Sequence, residues 1–170
     1  MIKSGLCGED DGRGPERAVP SMYGWLMKAL ALLVAADQAS KFVAEALIRP
    51  YTTVATPLGR LLRFTLIYNE GAAFGIMSGK RLFIMGVTVL FAAGVLAYWP
   101  SVWRMGSYTR VAAAMMLAGS VGNFIDRART GAVVDFLEVP AVPLFQVFNF
   151  ADALLVLGTL VFIYSMFRAS

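Results

Sequence analysis

The sequence contains no histidine and only one cysteine, Cys7, among its 170 residues. A lone cysteine allows no disulfide within the chain, so it does not indicate the redox state of the compartment. Without imidazole, Ser-His and Cys-His nucleophile pairs and the usual zinc sites are excluded. Any hydrolytic chemistry must then depend on carboxylates, on lysine, or on the hydroxyl groups of serine and threonine.

Charged residues are also scarce, at 15% of the chain, whereas hydrophobic residues make up 58%. The charges lie mostly outside a few long apolar runs, which is typical of membrane-spanning segments and not of one large soluble core. The formal net charge is +4, but the basic residues are scattered at the ends of these runs and form no stripe. Nucleic acid is therefore not expected as a partner, whereas anionic lipid headgroups are expected to interact with these basic residues.

Four apolar runs predict an all-α membrane protein, a bundle of four transmembrane helices. Each run approaches the ~20 residues that a helix needs to cross the hydrocarbon of a bilayer. The runs extend over residues 23–46, 82–99, 111–125 and 148–167. Between the first two, residues 50–68 are rich in β-branched and aromatic residues and predict a small β hairpin, or cradle, on the membrane surface.

The segment before the first run is polar and rich in glycine and proline, which predicts a disordered tail over residues 1–21. Residues 22–170 then form one transmembrane domain. We expect translation to begin at Met22 or Met27, because the preceding segment shares nothing with the membrane body. The intact mass of natively expressed protein would test this. Lysine and arginine are divided almost evenly between the two sides of the predicted bundle, so the positive-inside rule does not orient it.

An acid and a base lie inside the first apolar run, where isolated charges are energetically costly. Asp37 and Lys41 are four residues apart on one helix face, with the acid first, which is the order that favours an ion pair. A structural pair is the simplest interpretation. The alternative is a proton relay of the kind that a transporter uses.

A stripe of three residues follows one face of the third run. Gly119, Asn123 and Arg127 recur at intervals of four residues, so a close-packing notch leads to an amide and then to a guanidinium group. Small residues alone would indicate ordinary helix packing. Because a lipid-facing arginine is costly, the whole stripe is expected to line a polar site.

Two further acids lie near the ends of the last two runs. Asp135 follows the third run in an apolar setting, and Asp152 opens the fourth run with Asn149 one turn before it. Both acids flank residues 137–147 on the same side of the membrane, so their carboxyl groups can meet. Two adjacent carboxylates share one proton, and the ionised member can activate a water molecule as in aspartyl proteases. The alternative is that Asp135 caps a turn and Asp152 caps a helix.

Taken together, the motifs resemble those of the signal peptidase II family of bacterial inner-membrane aspartyl endopeptidases. The resemblance covers the chain from about Met22 to its C-terminus. Each motif alone is weak, but their number and order make the match specific. The five motifs are Asp37-Gln38-Ala39-Ser40-Lys41, Asn69-Glu70-Gly71-Ala72-Ala73-Phe74-Gly75, Gly122-Asn123-Phe124-Ile125-Asp126-Arg127, Val133-Val134-Asp135-Phe136 and Phe148-Asn149-Phe150-Ala151-Asp152.

The resemblance implies a role for each matching residue. Asp135 and Asp152 would be the catalytic dyad, and Asp37 and Lys41 the structural ion pair of the family. The residues implied to surround the substrate are Asn69, Gly71, Asn123, Arg127 and Asn149. The implied substrate is a prolipoprotein whose cysteine already carries a diacylglyceryl group, cut just before that cysteine, and no metal or other cofactor is implied.

The resemblance also implies a placement in the cell. The protein is expected in the bacterial inner membrane with both termini in the cytoplasm and with the cradle and the active site toward the periplasm. We expect a monomer among membrane lipids. Two other classes of protein are compatible with the residues alone: a small proton-coupled transporter, in which Asp37 and Lys41 would matter most, and a non-catalytic scaffold, which has no use for a carboxylate pair.

Overall fold

The computed structural model of this protein describes residues 18–59, 61–71, 80–141 and 147–169. Within these residues the chain is mainly helical and carries one small sheet, as the sequence predicts. The helices are α1 (Ala18–Leu47), α2 (Arg81–Ala97), α3 (Trp99–Arg104), α4 (Ser107–Thr130) and α5 (Phe150–Ala169). The four longer ones coincide with the four apolar runs, and the short α3 was not predicted.

Helix ends differ from the apolar runs at two places. α1 begins at Ala18, so residues 18–21 are helical although the sequence placed them in the polar tail, and residues 1–17 lie outside the described residues. α4 continues to Thr130, well past the predicted end, because its polar residues face protein partners. It ends where Gly131 adopts a φ of +90° and donates its N–H to Arg127 O over 3.2 Å.

The sheet has three antiparallel strands in the order β1 (Thr53–Ala55), β2 (Arg63–Asn69) and β3 (Val133–Glu138). The first two form the predicted hairpin. The third was not predicted, because its partner strand β2 lies more than sixty residues earlier in the chain. In the register, Asp135 of β3 faces Ile67 of β2, which brings residues far apart in sequence to one sheet.

Helix α4 is central, since it contacts each of the other four helices. Glycines of both helices allow α4 and α5 to pack closely: a Cβ atom at Gly119 would clash with the carbonyl oxygen of Ala151 in α5, and one at Gly158 of α5 would lie 3.0 Å from Ala112 O. At one end of the bundle an apolar cluster forms around buried Trp99, whose indole N–H donates to Met22 O. The sheet lies at the opposite end, where α1 and α4 finish and α5 starts.

The outer surface of the helices is strongly apolar. Phe42, Leu90 and Phe167 are 72%, 74% and 79% exposed, and an apolar surface of this extent is unfavourable in water. In the part of the chain that the structure describes, one helix, Phe150–Arg168, is long and apolar enough to cross a bilayer by length and composition alone. α2 is apolar but has 17 residues, and charged residues interrupt α1 and α4.

Candidate active site

Asp135 lies in β3, and its carboxyl group is buried, with 1% of the residue exposed. Asn149 Nδ2 donates to its Oδ1 atom over 2.6 Å, and Asn69 Nδ2 donates to its Oδ2 atom over 3.0 Å. Asn69 is close because it stands two residues beyond Ile67, the partner of Asp135 in the sheet, and so lies on the same sheet face. Both oxygens of this carboxyl group therefore accept a hydrogen bond from an amide.

Asp152 lies in the first turn of α5 and takes part in a reciprocal cap with Asn149. Asp152 N donates to Asn149 Oδ1 over 2.9 Å, and Asn149 N donates to Asp152 Oδ2 over 3.2 Å, which is the capping-box arrangement. The remaining oxygen, Oδ1, accepts from Asn123 Nδ2 of α4 over 2.8 Å. The cap fixes the acid at the start of the helix, on the side of the sheet.

One residue, Asn149, contacts both acids, with its side-chain amide on Asp135 and its backbone N–H on Asp152. The two carboxyl groups are therefore neighbours, which is the juxtaposition that the sequence predicted. Burial, and secondly the negative charge of Asp152, raise the pKa of Asp135 from its ordinary value of 3.8 to about 7. Near neutral pH this carboxyl group can hold a proton, and a paired carboxyl group that holds a proton can act as an acid.

The predicted substrate-contacting residues all lie around the two acids. Three of them are the asparagines described above, and Asn149 Nδ2 also donates to Asn123 Oδ1 over 3.1 Å. Arg127 Nη2 donates to Gly71 O over 2.6 Å, and Gly71 N donates to Asn69 Oδ1 over 3.0 Å. Arg127 thus holds the end of β2 against α4. Residues 72–75 of the predicted second motif lie outside the described residues.

Behind the acids lies a buried group of charges, here named the Lys41 cluster, formed by Asp37, Lys41 and Asp126. Lys41 Nζ is 2.9 Å from Asp37 Oδ2 and 2.7 Å from Asp126 Oδ2, and all three side chains are at most 3% exposed. Gln38 Nε2 donates to both carboxylates. The predicted ion pair of Asp37 and Lys41 is thus part of a larger group in which two carboxylates share one ammonium.

No role was predicted for Asp126 or Gln38, although both lie inside the motifs that the chain shares with the family. The available indication was charge balance: the predicted bundle contained several carboxylates that needed a positive partner. The ion pair of Asp126 with Lys41 could not be derived, because it depends on how α1 packs against α4. Among the described residues, no three His, Cys, Asp or Glu side chains are grouped so that they could hold a metal ion.

Comparison with known proteins gives the family. The family model described as signal peptidase (SPase) II matches residues 29–168, most of the chain. The chain belongs to the signal peptidase II family. A lipoprotein signal peptidase of Moorella thermoacetica is 38% identical over 138 residues, which cover 81% of this chain and 89% of the relative. One from Caldanaerobacter subterraneus is 35% identical over 137 residues, with coverage of 81% and 92%.

Solved structures agree with this membership. A bacterial membrane enzyme determined at 2.3 Å resolution matches with a TM-score of 0.77 and 29% identity, covering 85% of this chain and 88% of that one. A second, at 1.9 Å resolution, matches with a TM-score of 0.75 and 28% identity. This signal peptidase is accordingly a protease of a bacterial membrane. The transporter and scaffold alternatives find no support in these comparisons.

Proposed function

We propose that this signal peptidase removes the signal peptides of diacylglyceryl-modified prolipoproteins, cutting just before the lipidated cysteine, with Asp135 and Asp152 as its catalytic pair. The relatives named above are lipoprotein signal peptidases, which supports the substrate class. The observation that carries the catalytic assignment is the contact of Asn149 with both carboxyl groups. A buried acid, Asp135, and a half-buried one, Asp152, held by one residue can share a proton and a water molecule.

In the proposed reaction, the ionised carboxyl group takes a proton from water while the water oxygen bonds to the scissile carbonyl carbon. The protonated carboxyl group hydrogen-bonds to the carbonyl oxygen and stabilises the negative charge that develops there. The C–N bond then breaks, and the leaving amine takes up a proton from the pair. Burial and the charge of Asp152 raise the pKa of Asp135 to about 7, so this carboxyl group can hold the proton of the pair before attack.

The surrounding amides orient the acids in this proposal. Asn69 and Asn149 fix the plane of the Asp135 carboxyl group, and Asn123 fixes that of Asp152. An acid or base must be held close to its productive geometry to be effective. Arg127 and Gly71 act at the edge of the site, where Arg127 holds the chain that leaves β2 next to the bound peptide.

We further propose that α1, α2, α4 and α5 each cross the membrane and that the sheet and both acids lie at the periplasmic face. The apolar exposed surfaces of these helices support four crossings, since the charges of α1 and α4 nearest the acids turn inward to the Lys41 cluster. An even number of crossings leaves both termini together, in the cytoplasm. A monomer suffices, because one chain supplies both acids and their partners.

The test is cleavage of a diacylglyceryl-modified prolipoprotein by the purified protein and by Asp135→Asn and Asp152→Asn. Each substitution removes an acid or a base that also orients water, so we expect a loss of roughly 10³-fold or more in kcat/KM. Glu138→Gln is the matched control, because it makes the same chemical change in the same strand. Near-normal cleavage by either aspartate variant would refute the pair, and equal cleavage of an unmodified precursor would refute the lipid requirement.

A further inference from the structure

The Lys41 cluster contacts the backbone on the α5 side of the active site. Ala151 N donates to Asp37 Oδ1 over 2.9 Å, and Ala151 is the residue immediately before Asp152. The other oxygen of Asp37 is bound by Lys41 Nζ. The first turn of α5, which carries one acid, is therefore fixed to α1 through a buried carboxylate.

The same arrangement recurs on the side of β3. Val134 N donates to Asp126 Oδ2 over 3.2 Å, and Val134 is the residue immediately before Asp135. Asp126 Oδ2 is also the atom that lies 2.7 Å from Lys41 Nζ. The backbone N–H just before each acid thus donates to a carboxylate of the Lys41 cluster, and both carboxylates are bound by one ammonium.

The third contact of Lys41 completes the pattern. Lys41 Nζ donates to Asn123 Oδ1 over 3.0 Å, and Asn123 Nδ2 donates to Asp152 Oδ1 over 2.8 Å. An ammonium group has three hydrogen-bond donors, and all three are directed to groups that hold one of the two acids. A pair that only stabilised α1 would need no contact beyond Asp37.

We infer that Lys41 is a positioning residue for the peptidase reaction, and that through Asp37, Asp126 and Asn123 it sets the separation of Asp135 and Asp152. This inference rests on the proposed catalytic pair. Lys41 makes no hydrogen bond or ion pair with either acid, so its contacts act through where β3 and α5 stand relative to each other. Its positive charge also favours the ionised form of Asp135 and lowers the pKa of that group. A displacement of one reacting group by about 1 Å is enough to lower a rate about 10²-fold.

The first test is Lys41→Met, which keeps an unbranched apolar side chain and removes the ammonium. We expect kcat to fall about 10²-fold or more while KM stays within about threefold, because the substitution displaces the acids without removing a group that is proposed to contact the substrate. Lys28→Met is the matched control, since Lys28 is an exposed lysine on the same helix. It should cleave at the wild-type rate.

The second variant, Asp126→Glu, keeps the charge and lengthens the side chain by one methylene, which displaces Val134 and β3. We expect a fall in kcat of at least about tenfold here too. Folding is followed by thermal unfolding with tryptophan fluorescence, because Trp25, Trp99 and Trp103 pack together at the end of the bundle opposite the acids. Activity is expressed per folded molecule.

The catalytic pair and the positioning role of Lys41 are refuted by different results. If Asp135→Asn or Asp152→Asn remains active, the catalytic pair is wrong. If both are inactive while Lys41→Met or Asp126→Glu cleaves with wild-type kcat per folded molecule, the positioning role is wrong and the cluster is merely structural. Should Lys41→Met fail to fold, Asp126→Glu decides by the same criterion.

Discussion

The side-chain amide of Asn149 donates to Oδ1 of Asp135 over 2.6 Å, the shortest of the hydrogen bonds to that carboxyl group. The same residue caps α5 through its side-chain oxygen, which accepts from Asp152 N. One side chain thus combines a structural and a chemical contact through different atoms. Substitutions that retain one atom and remove the other can separate the two effects.

Asn149→Ser should retain the helix cap and lose the amide. Serine is as good a cap as asparagine, so the free energy of unfolding should change little, whereas kcat/KM should fall roughly 10- to 100-fold because a hydrogen bond to a buried carboxyl group is lost. Asn149→Ala removes both contacts and should also lower stability by about 1 kcal/mol. Equal activity of Asn149→Ser and the wild type, measured by peptide cleavage, would contradict this separation.

The pH dependence of cleavage should report the proton on Asp135. Its pKa of about 7 means that deprotonation above that pH removes the acid, so kcat/KM should decline on the alkaline side with an apparent pKa near 7 for the pair. The hydrogen bond from Asn69 lowers this pKa because it favours the ionised form. Asn69→Ala should therefore shift the alkaline limb to higher pH.

A pH profile of kcat/KM for the wild type, Asn69→Ala and Thr53→Ala measures that shift. Thr53 is exposed on the neighbouring strand β1 and serves as a control that should leave the limb in place. A limb that moves to lower pH in Asn69→Ala would show that the Asn69 hydrogen bond raises the pKa of Asp135 instead of lowering it. A flat profile between pH 6 and about 9 would show that Asp135 does not lose its proton there.

Because Gly122 of α4 has no side chain, the carboxylate of Asp37 can occupy the space beside it. A Cβ atom at this position would clash with Asp37 Oδ2, so Gly122→Ala should displace Asp37 from Ala151 N and lower both thermal stability and activity. Gly94→Ala in α2 is the matched control, since nothing lies within 4 Å of its new Cβ. It should be neutral or stabilise by up to about 1 kcal/mol. Thermal unfolding and cleavage of both variants check the prediction.

Arg127 makes two hydrogen bonds that a lysine cannot reproduce together. Its Nη2 and Nη1 atoms donate to Gly71 O and Asn123 O, and lysine offers a single ammonium in place of this planar fork. Arg127→Lys should lower kcat/KM roughly tenfold or more although the charge is kept. Arg129→Lys, at an exposed position of the same helix, should have no effect, and a similar loss in both variants would contradict the geometric explanation.

Much of the fold follows from local pattern. The four long helices coincide with apolar runs, because runs of this length exceed ordinary strands and favour helices. The hairpin of β1 and β2 was predicted from its β-branched residues. β3 was missed because its pairing is non-local: Asp135 faces Ile67 across more than sixty intervening residues, and no local feature of Val133–Glu138 specifies that partner.

In the candidate site, the sequence predicted only those contacts that join residues at a short, fixed spacing along the chain. Asp152 and Asn149 are three residues apart at the start of a predicted helix, and this is the spacing at which a reciprocal cap brings two residues into contact. The contacts of Asp126 with Lys41 and Val134 join three elements, so they depend on packing that no spacing encodes.

The short bridge between Leu137 and Phe148 fastens the end of β3 to the start of α5. Backbone N–H groups of both residues donate across it, over 2.8 and 2.9 Å. Because the bridge holds Leu137 and Phe148 together, the length of the chain between them does not affect the positions of Asp135 and Asp152. Insertions or exchanges there are open to evolution while the chemistry stays the same.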